Sequence, residues 1–143
     1  MLLVSLLSLA DVDGSLLVGA LQLGFLILSL GIHEAAHAFV AWRCGDSTAK
    51  DLGRMTLDPL PHIDPMMTVL VPGLMWFMSG GTMMFGGAKP VPVDYRRLRH
   101  PLRDMMYVAL AGPISNFLLA LVFLLVWKLL VYRFGFTSED VAS

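Results

Sequence analysis

Charge is scarce in this sequence. Ten lysines and arginines and eleven acidic residues make up 15% of the 143 residues, where a soluble domain carries about 25%. The net charge of −1 excludes a basic face for nucleic acid and argues against any polyanionic partner. Cysteine is nearly absent. The single Cys44 excludes a disulfide framework and a cysteine-based zinc cluster within one chain. With no activating pair in view, it reads as an incidental free thiol. Internal repeats and low-complexity tracts are absent too. What is abundant is apolar: 57% of residues are hydrophobic and the mean hydropathy is +0.73. That excess excludes a disordered chain and most soluble enzymes. It leaves an all-α integral membrane protein of two or three membrane segments, forming a single membrane-embedded domain over residues 1–143.

The apolar residues are unevenly placed. Met1–Ala10 is too short to span a bilayer, which takes about 20 residues, and it has no basic start of the kind a secretory signal carries. It reads as an interfacial or packed segment, ended by turn chemistry at Asp11-Val-Asp-Gly14. Leu16–Trp42 gives 27 residues whose strongly polar members are Gln22, His33, Glu34 and His37. At 1.5 Å per residue this is roughly 40 Å of helix, enough to span with tilt. Arg43 closes it. Residues 44–65 are polar and turn-rich, with short strands or a small hairpin expected around Ala49–Leu57. Met66–Gly87 is uncharged but broken by Pro72 and five glycines. Lys89-Pro-Val-Pro-Val93 must be extended, because each proline restrains itself and its predecessor. Met105–Trp127 is a second span, 23 residues without a charge. Lys128, Arg133 and a short polar tail follow.

Met66–Gly87 either crosses the membrane or dips in and returns. A crossing splits the basic residues five and five. A re-entrant segment puts eight of them, in the two middle loops, on one side and leaves two after Trp127. The positive-inside rule favours the biased arrangement, and Pro and Gly breaks suit a re-entrant segment shielded by protein. The expected topology has the N-terminus outside and the polar loops in the cytoplasm. Arg96, Arg97, Arg99 and Arg103 are most simply topology determinants, and the methionines apolar filler.

Chemistry enters at His33-Glu-Ala-Ala-His37, an H-E-x-x-H pattern. On a helix His33 and His37 lie one turn apart on one face, so two neutral imidazoles can reach one zinc ion. Glu34 stands beside that face and can act as base toward an attacking water. Five residues alone are a weak pattern, and a polar packing patch or an interfacial helix end would account for them. Three ionisable groups inside an apolar helix are costly unless they serve an ion or a cavity, which favours the metal reading. In the second span, Ala111-Gly-Pro-Ile-Ser-Asn116 combines small residues that permit close helix approach with Pro113, which kinks a helix. Asn116 is open between donating to a developing oxyanion and bonding between helices. His62 and Asp64 read as a proline-locked turn or as a loop over the metal offering a substitute ligand.

These residues together resemble the site-2 protease family, zinc metalloproteases of peptidase family M50 that cut within membranes. The resemblance rests on His33-Glu-x-x-His37, on Gly53-Arg-Met-Thr-Leu-Asp-Pro-Leu-Pro-His-Ile-Asp-Pro65, on Gly87-Ala-Lys-Pro-Val-Pro-Val93 and on Ala111-Gly-Pro-Ile-Ser-Asn116. It covers about Leu16 to Trp127 and is closest to small bacterial members without a PDZ domain. It implies His33 and His37 as zinc ligands, Glu34 as catalytic base and Asn116 as a polar residue beside the substrate. It also implies an antiparallel arrangement of the two spans. The expected function is intramembrane hydrolysis of transmembrane protein substrates by a zinc-activated water, in a bacterial inner membrane. The family's third ligand is an aspartate in an N-x-x-P-x-x-P-L-D-G-type motif, and that motif is missing here. A catalytic zinc takes three protein ligands. The chain therefore reads as incomplete at its C-terminus, as a short member with a substitute ligand, or as an inactive relative that binds or regulates partners. A metal carrier would show further acids or histidines on other helices, and Met105–Trp127 has none.

Overall fold

A computed structural model describes residues 2–135. Four α-helices form: α1 (Leu2–Arg43), α2 (Thr48–Asp51), α3 (Val71–Met78) and α4 (Pro101–Phe134). No strand occurs among the described residues. The all-α expectation agrees with this, and the strands expected at 49–57 do not form. Thr48–Asp51 is one helical turn instead, ended at Gly53 in the left-handed region (φ 68°).

Helix α1 also runs through Asp11-Val-Asp-Gly14 without a break, which corrects the turn expected there. Asp and Gly each disfavour helix by under about 1 kcal/mol, and a helix already propagating on both sides absorbs that. The packing expected for Met1–Ala10 and the polar tail after Gly135 lie outside what is described.

Gly14–Arg43 and Pro101–Arg133 are both long and apolar enough to cross a membrane. Their outer faces carry exposed Phe, Leu and Val throughout, with Phe117 at 70% and Leu102 at 83% exposure. So much contiguous apolar surface needs a bilayer or protein to cover it. The two helices are antiparallel. Along α1 from His37 back to Phe25, the partners on α4 advance from Val108 through Asn116 to Phe123.

Between them the chain leaves and returns at one end of the pair. Arg99 N–H donates to Cys44 O at 3.0 Å, joining the ends of residues 44–99. From there Pro59 and His62 pack beside Gly31. Asp64 caps a π-helical turn, Pro65–Leu70, by accepting from Met66 and Met67 N–H, and α3 continues from it. Trp76 of α3 reaches Gly19, where a Cβ would meet the indole at 2.8 Å. The chain turns at Ser79–Thr82 and comes back extended, passing Leu26 at Gly86 and Glu34 at Val91. The excursion from the level of Gly31 to that of Gly19 is about 18 Å at helical rise. The helical part, Pro65–Met78, is about 21 Å long, short of the ~30 Å hydrocarbon core.

Asp46 pins this assembly at the loop end. It is fully buried, accepts from Thr48 N–H and Oγ1–H, and accepts from Asp94 N–H at 2.7 Å. Burial pushes its carboxyl up, but the hydrogen bonds from Thr48 and Asp94 outweigh burial and hold it below the usual carboxylate range. A carboxylate lowered by folding adds stability above its unfolded value, roughly pH 4, that is lost as pH falls through the folded value. Acid unfolding followed by circular dichroism is therefore expected to flatten in Asp46→Asn. That variant should also lose about 1–3 kcal/mol at neutral pH, since its amide faces donors with a donor. An unchanged acid limb would remove Asp46 from this role.

Candidate metal centre

The only His/Cys/Asp/Glu grouping of metal-binding geometry among the described residues is His33, Glu34 and His37, whose ligand atoms lie within 4.8 Å of one another. Helix α1 supplies all three, and α4 orients the two histidines. His37 Nδ1 lies 2.6 Å from Val108 O. A carbonyl only accepts, so Nδ1 carries the proton and Nε2 presents its lone pair. His33 Nδ1 lies 3.2 Å from the Asn116 side-chain amide, whose other end meets Ser29 Oγ at 3.2 Å. A metal on His33 Nε2 requires the proton on Nδ1. The Asn116 oxygen then accepts from the ring, and its NH₂ turns to Ser29.

Both Nε2 atoms converge on one place. A Cβ built on Gly112 would collide with His33 Nε2 and with His37 Nε2. The space beside Gly112 is thus a cradle bounded by two imidazole nitrogens and closed by a residue without a side chain. Metal-bound histidines characteristically donate their second nitrogen to a carbonyl or other acceptor; His37 has one in Val108 O, and His33 has one once the Asn116 amide is flipped to present its oxygen. The residues present fit a metal ion, with two nitrogen donors in place.

The chain belongs to peptidase family M50. The model of that family matches residues 21–139, the greater part of the chain. Among curated relatives, "Putative zinc metalloprotease YwhC" of Bacillus subtilis is 43% identical over 112 residues, covering 77% of this chain and 46% of its own length. "Putative zinc metalloprotease Rip2" of Mycolicibacterium smegmatis is 37% identical over 98 residues, covering 68% of this chain and 36% of its own length. Rip2 of Mycobacterium tuberculosis is 35% identical over 104 residues, covering 73% and 38%. The chain thus spans less than half the length of these relatives. No solved structure matches it. An M50 chain with two helices long and apolar enough to cross a membrane is a membrane protein, and the site-2 protease resemblance agrees with this family.

The other sequence candidates fall elsewhere. His62 is 2% exposed, its Nε2 bonds Thr56 O at 3.1 Å, and its Nδ1 has no partner. It packs beside Gly31 and does not join the histidine pair. Asp64 uses its carboxylate as a cap. Neither stands as a substitute ligand. Asn116 is brought to the site, but its amide is engaged with His33 and Ser29 rather than aimed at open space.

Three participants escaped the sequence. Val108 acts through its carbonyl, which no residue type signals. Gly112 was legible as a point of close helix approach, though not that the approaching groups are imidazoles. Val91 N–H donates to Glu34 Oε2 at 2.8 Å. The signal for it was the Pro-Val-Pro run, where Val91 alone keeps a donor.

Beside the centre lies a cavity of about 460 Å³ lined by Gln22, Phe25, Leu26, Ser29 and Met84. Met84–Gly86, on the returning extended segment, make no backbone hydrogen bond among the described residues.

Proposed function

We propose that this chain is the metal-binding core of an intramembrane zinc metalloprotease of the site-2 type. The convergence of His33 Nε2 and His37 Nε2 next to Gly112, with Glu34 in the same cluster, carries the reading. His33 and His37 would hold the ion. Zinc at such a site lowers the pKa of a water to about 7 and polarises a substrate carbonyl.

Glu34 does the proton work. It is 9% exposed, and one of its oxygens is left unpaired by Val91. That oxygen takes the proton of the attacking water and returns it to the leaving amine. Asn116 orients His33 from the neighbouring helix.

The substrate is a transmembrane segment, locally unwound so that its carbonyl is reachable. It would enter the Gln22–Ser29–Met84 cavity. Irregular backbone at membrane depth is tolerated where it lines a cavity, and the unpaired Met84–Gly86 backbone offers the edge such a segment can bond to. In this arrangement residues 66–87 form a re-entrant segment, the loops holding most of the arginines face the cytoplasm, and the membrane is the bacterial cell membrane.

One observation favours a second reading. A catalytic zinc takes three protein ligands, and the described residues bring two histidines together. A non-catalytic relative that binds or regulates partners would need no third.

Zinc content of the purified chain and cleavage of a membrane substrate separate the two. The expected result is stoichiometric zinc that falls at least about tenfold in His33→Ala, with cleavage lost in step. Equal zinc in both proteins would reject the metal site. Zinc without cleavage would favour the second reading.

A further inference from the structure

The extended run from Lys89 to Asp94 is held at more points than a connecting loop needs. Lys89 N–H donates to His62 O at 2.9 Å. The Arg54 guanidinium, from the opposite loop, donates to Lys89 O at 2.6 Å and reaches Pro90 O at 3.4 Å. Asp94 N–H is tied to Asp46. Val91 is 9% exposed and packs on Ala38 and Ala49, both fully buried. The strap therefore crosses α1 at a fixed height, next to Glu34.

The chemistry of the run is selective. Pro90 and Pro92 have no N–H, and the Lys89 N–H is used by His62. The one donor left between 89 and 92 is that of Val91, and it meets Glu34 Oε2. The flanking prolines also restrict the backbone about Val91, so the donor is presented in one orientation.

Resting on the reading of Glu34 as base, we infer that the Lys89–Val93 strap is its positioning element, with the Val91 amide holding the carboxylate and Arg54 holding the strap. With one oxygen held by Val91, the other is turned out for a proton. The side chain is also kept from swinging across to bind the metal itself, which a carboxylate one residue from a ligand could otherwise do. Arg54 thus acts on the reaction through two intermediaries and touches no reacting atom.

The sequence permits a direct test. Glu34 and Glu139 are its only glutamates, so with Glu139→Gln a ¹³C-glutamate label reports on Glu34 alone. Infrared spectra are taken on the metal-free full chain. Val91→Pro removes the N–H within a run already extended, and replacing Val91 by its α-hydroxy acid removes it while keeping the side chain. Both are expected to move the Glu34 carboxylate antisymmetric stretch to higher frequency. In the zinc-loaded protein, both should lower kcat about 10- to 100-fold, the range for a group that orients a metal-site residue. KM and bound zinc should stay unchanged. Arg54→Ala should act in the same direction, and Arg54→Lys, which keeps a cationic donor group, should restore part of the rate.

An unmoved stretch, or a rate loss matched by loss of zinc, would overturn the inference. Failure of the proteolytic reading is separate: neither the zinc-loaded parent nor Glu34→Gln would then cleave, while the infrared shift on losing the Val91 N–H would remain.

Discussion

Gly112→Ala is expected to strip the chain of its metal. A methyl group there falls on both ring nitrogens that face the cradle, so neither imidazole can keep its place with an ion between them. Helix propensity measured in water would favour alanine over glycine by about 1 kcal/mol. The substitution therefore sets a small local gain against loss of the site. Zinc affinity by chelator competition should fall by more than about 100-fold, beyond the 10- to 100-fold seen for groups that merely orient ligands. Gly24→Ala is the control, because a Cβ there meets nothing within 4 Å. It should bind zinc as the parent does. If Gly112→Ala also binds zinc as the parent does, the histidines do not converge there when the metal is bound.

On the proposed function, Glu34→Gln should abolish proteolysis while leaving the metal in place. General-base catalysis is worth about 10²–10⁴ in rate, and the change removes it with almost no change of shape. The Val91 N–H requires an acceptor, so the glutamine turns its oxygen toward Val91. Its NH₂ then faces the histidines, where no proton can be taken up. Zinc stoichiometry should match the parent, since both Nε2 donors are untouched. The measurement is single-turnover cleavage of a membrane substrate beside metal analysis of the same sample. Cleavage at the parental rate would remove Glu34 from the mechanism.

The sequence displayed those parts of the molecule that depend on residue type at a fixed spacing. Leu16–Trp42 and Met105–Trp127 are long, largely apolar runs, and length and composition make them helices able to cross a membrane. His33, Glu34 and His37 come together because one helical turn separates the histidines. What it concealed depends on competition or on the main chain. Asp11-Val-Asp-Gly14 has turn chemistry, yet a helix extending from both sides outweighs it. Ala49–Leu57 has residues that could be extended, but no neighbouring strand to bond with among those described. The carbonyl of Val108 and the amide of Val91 come from residues whose side chains announce nothing. Gly112 announced closeness without saying to what.

Phe25 and Phe123 pack edge to face between α1 and α4, and hydrocarbon packing of this kind has no direction. Nothing in it forbids one helix from sliding along the other. The bonds from His37 to Val108 and from His33 through Asn116 to Ser29 do forbid it. A slip of a single residue, about 1.5 Å, would take both rings off their partners. The site thus doubles as the key that fixes the two helices in register. Spin labels placed far from it, on the outer faces of both helices, should detect a broader spread of separations when Asn116 is made leucine, before any chemistry is assayed.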